Sequence, residues 1–141
     1  VYETLPTEKS LYAVSEAPEP DDYDVVAVGF WLQGGQPDRL AQDYLHKIGK
    51  QRVFLFASHG AAPDSAHARD AMTCARELLP QAEILGQFNC QGEVSAGVLA
   101  KVATKQPPPV WLADAPQAAG HPDKADIANL QAMLEKSIDG R

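Results

Sequence analysis

The sequence predicts an α/β fold built on a parallel sheet, and three observations carry that expectation. Two short apolar runs, within Tyr23–Phe30 and Arg52–Ala57, each lead into a polar loop with glycine, at Gly34-Gly35 and at Gly60. Each loop is followed by a segment of helical periodicity. Strand, loop and helix repeated at tight spacing is the pattern of parallel strands joined by crossover helices. Open α/β sheets bind ligands outside the carboxyl ends of such strands.

The elements follow in order. Val1 and Leu5 stand at i and i+4 before Pro6, the pattern of a last helical turn closed by proline. Leu11–Val14 is a short strand candidate, and Pro18–Asp22 reads as a rigid acidic turn. Val25–Phe30 is continuously apolar, as a strand buried on both faces requires. Pro37 is expected in the first turn of a helix with Leu40, Ala41, Tyr44, Leu45 and Ile48 on one face, ended by Gly49. Val53–Ala57 is the second buried strand. Asp64 or Ser65 caps a helix whose stripe runs from Ala68 to Leu79, and Pro80 closes it. Glu83–Cys90 is a third, less strongly patterned strand. Ser95 caps a short helix with Val98, Leu99 and Val102 on one side. Lys105–Gly120 contains three consecutive prolines and no period, so it reads as a loop or strap that Trp111 and Leu112 pin to the body. Asp123 caps a last helix with Ile127, Leu130, Leu134 and Ile138 on one face.

The 141 residues are expected to form a single domain over 1–141, and 45% hydrophobic with 22% charged residues is ordinary for a soluble globular chain. A formal net charge of −7 disfavours nonspecific binding to nucleic acid or an anionic membrane. It suits docking on a basic partner, and equally serves solubility alone. Two cysteines, no signal peptide and no long apolar segment give a cytoplasmic expectation, with Cys74 and Cys90 free thiols packed as small hydrophobes.

Candidate site residues cluster at the strand ends. Phe30 and Trp31, followed by Gly34 and Gly35, suit one wall of a cofactor site: an aromatic ring stacks on another, and glycines admit close backbone approach. Equally, Trp31 could simply cover the sheet edge. Ser58, His59 and Gly60 occupy the same point of the next strand, where backbone N–H groups and a hydroxyl can meet a polar ligand edge, or form an ordinary strand-to-helix turn. A hydrolase built from Ser58, His59, Asp64, Ser65 and His67 is disfavoured. The nucleophile elbow needs Gly two residues before the Ser, where this chain has Phe56. No zinc-type spacing links the His and Cys residues, so no metal is expected. Neither a dinucleotide fingerprint nor a Walker motif is present.

The assembled residues resemble the flavodoxin family, and more closely a bacterial branch of short flavodoxin-family proteins. The resemblance rests on Tyr23–Trp31, Gly35–Asp38, Val53–Phe56, Gly60–Ser65, Leu85–Gly92 and His121–Asp123, in the family's order. It implies a three-layer sandwich around a five-stranded parallel sheet in order 2-1-3-4-5, with FMN at the carboxyl ends. Phe30, Trp31 and Gly35 then form the loop on one side of the isoalloxazine, and Ser58, His59 and Gly60 the loop on the other. Gly60 is the position at which a backbone carbonyl meets flavin N5. Ala62 departs from the aromatic commonly found there. The larger departure is at the amino terminus: the family's central first strand and its Ser/Thr-rich phosphate loop have no counterpart, so the expected domain is N-terminally incomplete. Two functions remain open. One is an FMN-dependent electron carrier docking on a basic redox partner, with no side chain acting as acid or base. The other is a flavin-free remnant serving protein interaction, or a homodimer through the exposed sheet. An FMN-dependent reductase acting on a small substrate is a third option. Whether Trp111 reaches the flavin or seals the sheet edge is open from sequence.

Overall fold

A computed structural model describes residues 1–6 and 8–140. Strand β1 (Val25–Gln33) turns into a two-residue strand β2 (Gln36–Pro37), followed by helix α1 (Arg39–Leu45) and strand β3 (Arg52–His59). Helix α2 (Ala66–Glu77), strand β4 (Glu83–Gln91), helix α3 (Ala96–Ala103) and helix α4 (Lys124–Asp139) complete the regular elements. The sheet order is β2-β1-β3-β4. The β1–β3 and β3–β4 pairs are parallel, and β1–β2 is antiparallel. The α/β expectation holds, with crossover helices between the parallel strands.

Alternation along β3 divides its side chains between two layers. Val53, Leu55 and Ala57 join Leu45 of α1 and Met72 of α2 in one continuous core. Phe54, fully buried, points to the other face, where α4 packs on β4. Gly86 makes that approach feasible: a β-carbon there would collide with the Ser137 hydroxyl of α4 and meet Phe54 at 3.2 Å. Phe56 similarly lies across Gly29, whose added β-carbon would stand 2.5 Å from the ring. Truncating a fully buried residue such as Leu55 to Ala costs about 2–5 kcal/mol.

Each helix starts on a side-chain cap. Asp38, Ser65, Ser95 and Asp123 accept from Ala41, Ala68, Val98 and Asp126 backbone N–H groups respectively, satisfying donors the helix leaves free. Ser65, rather than Asp64, caps α2.

Three expectations are corrected. Pro37 lies not in a helix but in β2, opposite Leu32. Gly34 and Gly35, with φ of +61° and +77°, fill the two central positions of that hairpin, where left-handed conformations match the strand twist. The hairpin carries β1 on to Gln33, so Trp31 stands on a strand rather than in a loop. Leu11–Val14 forms no strand: Leu11 is 72% exposed, and a 3-10 turn starts at Val14. The β1 edge facing away from β3 has no ladder partner over Val25–Phe30 among the described residues, as expected of a sheet lacking the family's central first strand, and the sheet has four strands, one of them very short. Val1–Leu5 does make one helix-like turn, with the Leu5 N–H donating to the Val1 carbonyl at 3.2 Å. The Lys105–Gly120 strap carries 3-10 turns at Val110–Ala113 and Ala115–Ala118.

Candidate functional site

Parallel register aligns the strand ends. Trp31 of β1 pairs with Ser58 of β3, Ser58 with Cys90 of β4, and His59 with Gln91. The segments that follow converge on a cleft of about 280 Å³. Trp31, Gly34, Gly35, Ser58, His59 and Gly60 all line it. Phe30 does not: it shares the parity of Val28, turns into the core and is 7% exposed. His67, Glu93, Val94, Val98 and Trp111 are among the other lining residues. The first lies at the start of α2, the next three around the start of α3, and the last on the strap, where sequence periodicity carries no positional signal.

Trp31 is 55% exposed and lines both this cleft and a larger one along the open edge of β1. Its backbone is fixed by the hairpin: the Asp38 N–H donates to the Trp31 carbonyl at 3.0 Å, and the Trp31 N–H donates to the Asp38 carboxylate at 3.4 Å. The indole is therefore presented from a tied strand end.

His59 is 8% exposed, and its Nε2 meets the Asn89 Oδ1 at 2.9 Å. In this amide orientation the Asn89 oxygen accepts from Nε2. Burial pushes the imidazole pKa below its ordinary value, against a smaller opposing effect of Asn89, so the ring is neutral at pH 7. The buried Nδ1 has no hydrogen-bond partner among the described residues. With Nε2 engaged by Asn89 and Nδ1 unpartnered, neither ring nitrogen serves Ser58 as a base, and no nucleophile–base pair is assembled here.

Gly60 is held tightly. Its carbonyl accepts from the buried Gln91 Nε2 at 3.4 Å, which also donates to the Asp114 carbonyl at 3.3 Å. The Ala62 N–H donates to the Asp114 carboxylate at 2.9 Å. The strap, the Gly60 turn and the end of β4 are thus one hydrogen-bonded unit. Gly60 is also closely packed: a β-carbon would stand 2.8 Å from Val94 Cγ2 and 3.0 Å from Trp111 Cε3.

A second, larger cleft of about 1370 Å³ follows the open edge of β1. Leu5, Leu11 and Tyr12 line one part, and Phe88, Ile127 and Leu130 another. This explains why Ile127, on the apolar stripe of α4, is 50% exposed.

His121, Asp123 and Asp126 bring their ligand atoms within 4.8 Å of one another. Their arrangement is accounted for by helix capping: Asp123 and Asp126 form a reciprocal capping box, and His121 Nδ1 meets Asp126 Oδ2 at 2.5 Å. Among the described residues, no helix is long and apolar enough to cross a membrane.

Comparison with known proteins agrees with this architecture. The profile of the flavodoxin domain matches residues 1–135. The flavodoxin-like domain-containing protein BilS of Clostridioides difficile (strain CD3) is 28% identical over 106 residues, covering 72% of this chain and 60% of that protein. BilS of Clostridium symbiosum (strain WAL-14163) is 26% identical over 134 residues, covering 82% and 67%. The chain thus spans less than two thirds of the first relative's length. With the profile matching nearly all of it, on a sheet with parallel strands and their crossover helices, this chain belongs to the flavodoxin domain family.

Proposed function

We propose that the cleft at the strand ends binds the ring system of FMN and that the protein acts as an electron carrier. The observation that carries this reading is Trp31: a large indole, more than half exposed, held by its backbone at a cleft with no assembled nucleophile and base. Exposed aromatic faces of this kind suit stacking on a flat heterocycle.

The residues fit the ring. The lining joins aromatic and aliphatic side chains to the Ser58–Gly60 turn. A cleft of about 280 Å³ lies near the lower end of the ~300–1,000 Å³ typical of ligand sites, enough for the heterocycle but not for its whole ribityl phosphate chain. Glu93 carries charge in the lining, and among the described residues neither Lys nor Arg contributes to it, so these residues leave the phosphate unpaired. Bound FMN supplies the redox chemistry, taking up and releasing electrons. The chain's own part is to stack on the ring, hold Gly60 and exclude water.

The net charge of −7 favours a redox partner with a basic docking face, and association with it slows as salt rises. A second reading is favoured by the open β1 edge: the domain pairs there with another strand, in the simplest case a second copy around a two-fold axis. Visible absorbance on adding FMN tests the first reading. A resolved, shifted flavin spectrum supports it. An unperturbed spectrum, with the chain dimeric by sedimentation, supports the second.

A further inference from the structure

We infer that His59 is a proton-linked positioning residue of the ring site: neutral, it pins the end of β3 to β4 beside the Gly60 turn, and a ligand that covers the cleft holds it neutral. The inference rests on the flavin reading above and deepens it, giving that site a dependence on pH.

His59 is the last residue of β3, and both its main chain and its side chain reach β4 or the segment after it. Its carbonyl accepts from the Gly92 N–H at 2.8 Å, and its Nε2 meets the Asn89 Oδ1 at 2.9 Å. Gln91, opposite it in the ladder, donates to the Gly60 carbonyl. The imidazole lines the cleft and is only 8% exposed. Nδ1 is the atom left over, buried and without a hydrogen-bond partner among the described residues. A proton added there is cut off from water and unpaired. Burial is accordingly the main cause that lowers the imidazole pKa; Asn89 and the Ala61 backbone oppose it, and His67 of α2 adds to it. The other titratable groups on segments packed here are Glu93, just before α3, and Asp114 of the strap, whose carboxylate accepts from the Ala62 N–H at 2.9 Å. From β4 the imidazole is faced by the neutral amides of Asn89 and Gln91.

A ligand seated in the cleft takes water from its lining, His59 included. It therefore disfavours the imidazolium further than burial already does. Linkage makes the effect reciprocal: a proton on His59 weakens the ligand by the factor by which the ligand disfavours the proton. The neutral form is the binding form, so affinity is full near neutral pH and falls as pH drops through the folded imidazole pKa. A charged ring regains water by turning into the cleft it lines, and so competes with the ligand for that space. A histidine that merely filled the strand end would leave binding independent of its proton.

The test is a riboflavin titration of the full chain between about pH 4.5 and about pH 7.5, read by flavin fluorescence, with circular dichroism reporting the fold at each pH. Histidine ring signals are followed by NMR in the same samples and assigned with His59→Gln. Affinity is expected to fall about fivefold toward the acid end, and the His59 midpoint to move to lower pH on saturation with riboflavin. His59→Gln keeps a hydrogen-bonding amide but cannot titrate, so it is expected to lose the acid weakening, whereas His67→Gln keeps it. A His59 midpoint unmoved by riboflavin, or acid weakening that survives in His59→Gln, would overturn the inference while leaving the flavin reading intact. So would an affinity unchanged down to the pH at which the chain unfolds. Riboflavin fluorescence unaffected by the unsubstituted chain at neutral pH would remove both. The midpoint measured on the unsubstituted chain keeps the test valid should His59→Gln fold poorly.

Discussion

Trp31 and Asp38 hold each other in both directions: the Asp38 N–H bonds the Trp31 carbonyl at 3.0 Å, and the Asp38 carboxylate accepts from the Trp31 N–H at 3.4 Å while capping α1 through the Ala41 N–H at 3.2 Å. One carboxylate thus starts a helix and sets the strand end that presents the site's first indole. Asp38→Ala is expected to lose about 1–2 kcal/mol of unfolding free energy, the usual cost of a lost N-cap plus a freed N–H. Asp38→Asn is expected to retain most of it, since its amide oxygen still caps. Urea denaturation of the three proteins checks this ordering.

Gly60 has no room for a side chain. An alanine methyl would press on Val94 Cγ2 at 2.8 Å and on the Trp111 ring at 3.0 Å. Gly60→Ala is expected to cost about 1–3 kcal/mol, as overpacking does, and to displace Trp111. Its indole emission should then move to the red as the ring meets water, seen most clearly in a Trp31→Phe background.

Much of this arrangement was legible in the sequence, for identifiable reasons. Val53–Ala57 reads as a buried strand because β-branched and aromatic residues run without a polar break, and Ser95 and Asp123 read as caps because they precede periodic segments. Trp31 reads as a residue near a strand end because it follows the apolar run, and β1 carries it there. Phe30 was misread by proximity: period-two alternation puts it on Val28's face, inside the core. The β2 hairpin was hidden because a two-residue strand has no period, and Pro37 signals a helix start as readily as an edge strand. Trp111 remained open because a proline-rich strap is positioned by tertiary bonds from Gln91 and Asp114, which no local pattern encodes. The Leu11–Val14 strand failed because a strand forms only against a ladder partner.

The start of α4 contains a pH-sensitive contact. Its bond to Asp126 raises the His121 pKa above the ordinary 6.5. The Asp123 backbone N–H, and then His121, lower the Asp126 pKa below the ordinary 3.8. A raised imidazole pKa stabilises the fold below the unfolded value and loses that contribution as pH rises through the folded one. A lowered carboxyl pKa stabilises above its unfolded value and loses its contribution as pH falls through the folded one. The pair therefore contributes most between about pH 4 and the ordinary imidazole value, and its contribution fades as pH climbs past the raised imidazole pKa. His121→Asn is expected to flatten the dependence of Tm on pH across the upper flank, measured by thermal melts from pH 5 to 9.

Cys90 is buried at the end of β4, and its thiol pKa is pushed up to about 11 by burial, then by Asp126 and Asp123. Thiolate is the reactive form. Cys90 is expected to resist thiol reagents at neutral pH in the folded chain and to react once it is denatured. Reagent titration of Cys74→Ser, which leaves Cys90 as the sole cysteine, reads this directly.

Flavin binding at the cleft between β1 and the Gly60 turn is proposed to rest on stacking against Trp31. The most direct measurement is the FMN dissociation constant of the chain and of Trp31→Ala, from quenching of flavin fluorescence, with circular dichroism confirming that both are folded. Saturable binding by the unsubstituted chain is expected, with an affinity about tenfold weaker in Trp31→Ala. Equal affinity in the two folded proteins, or flavin fluorescence unaltered by either, would contradict it.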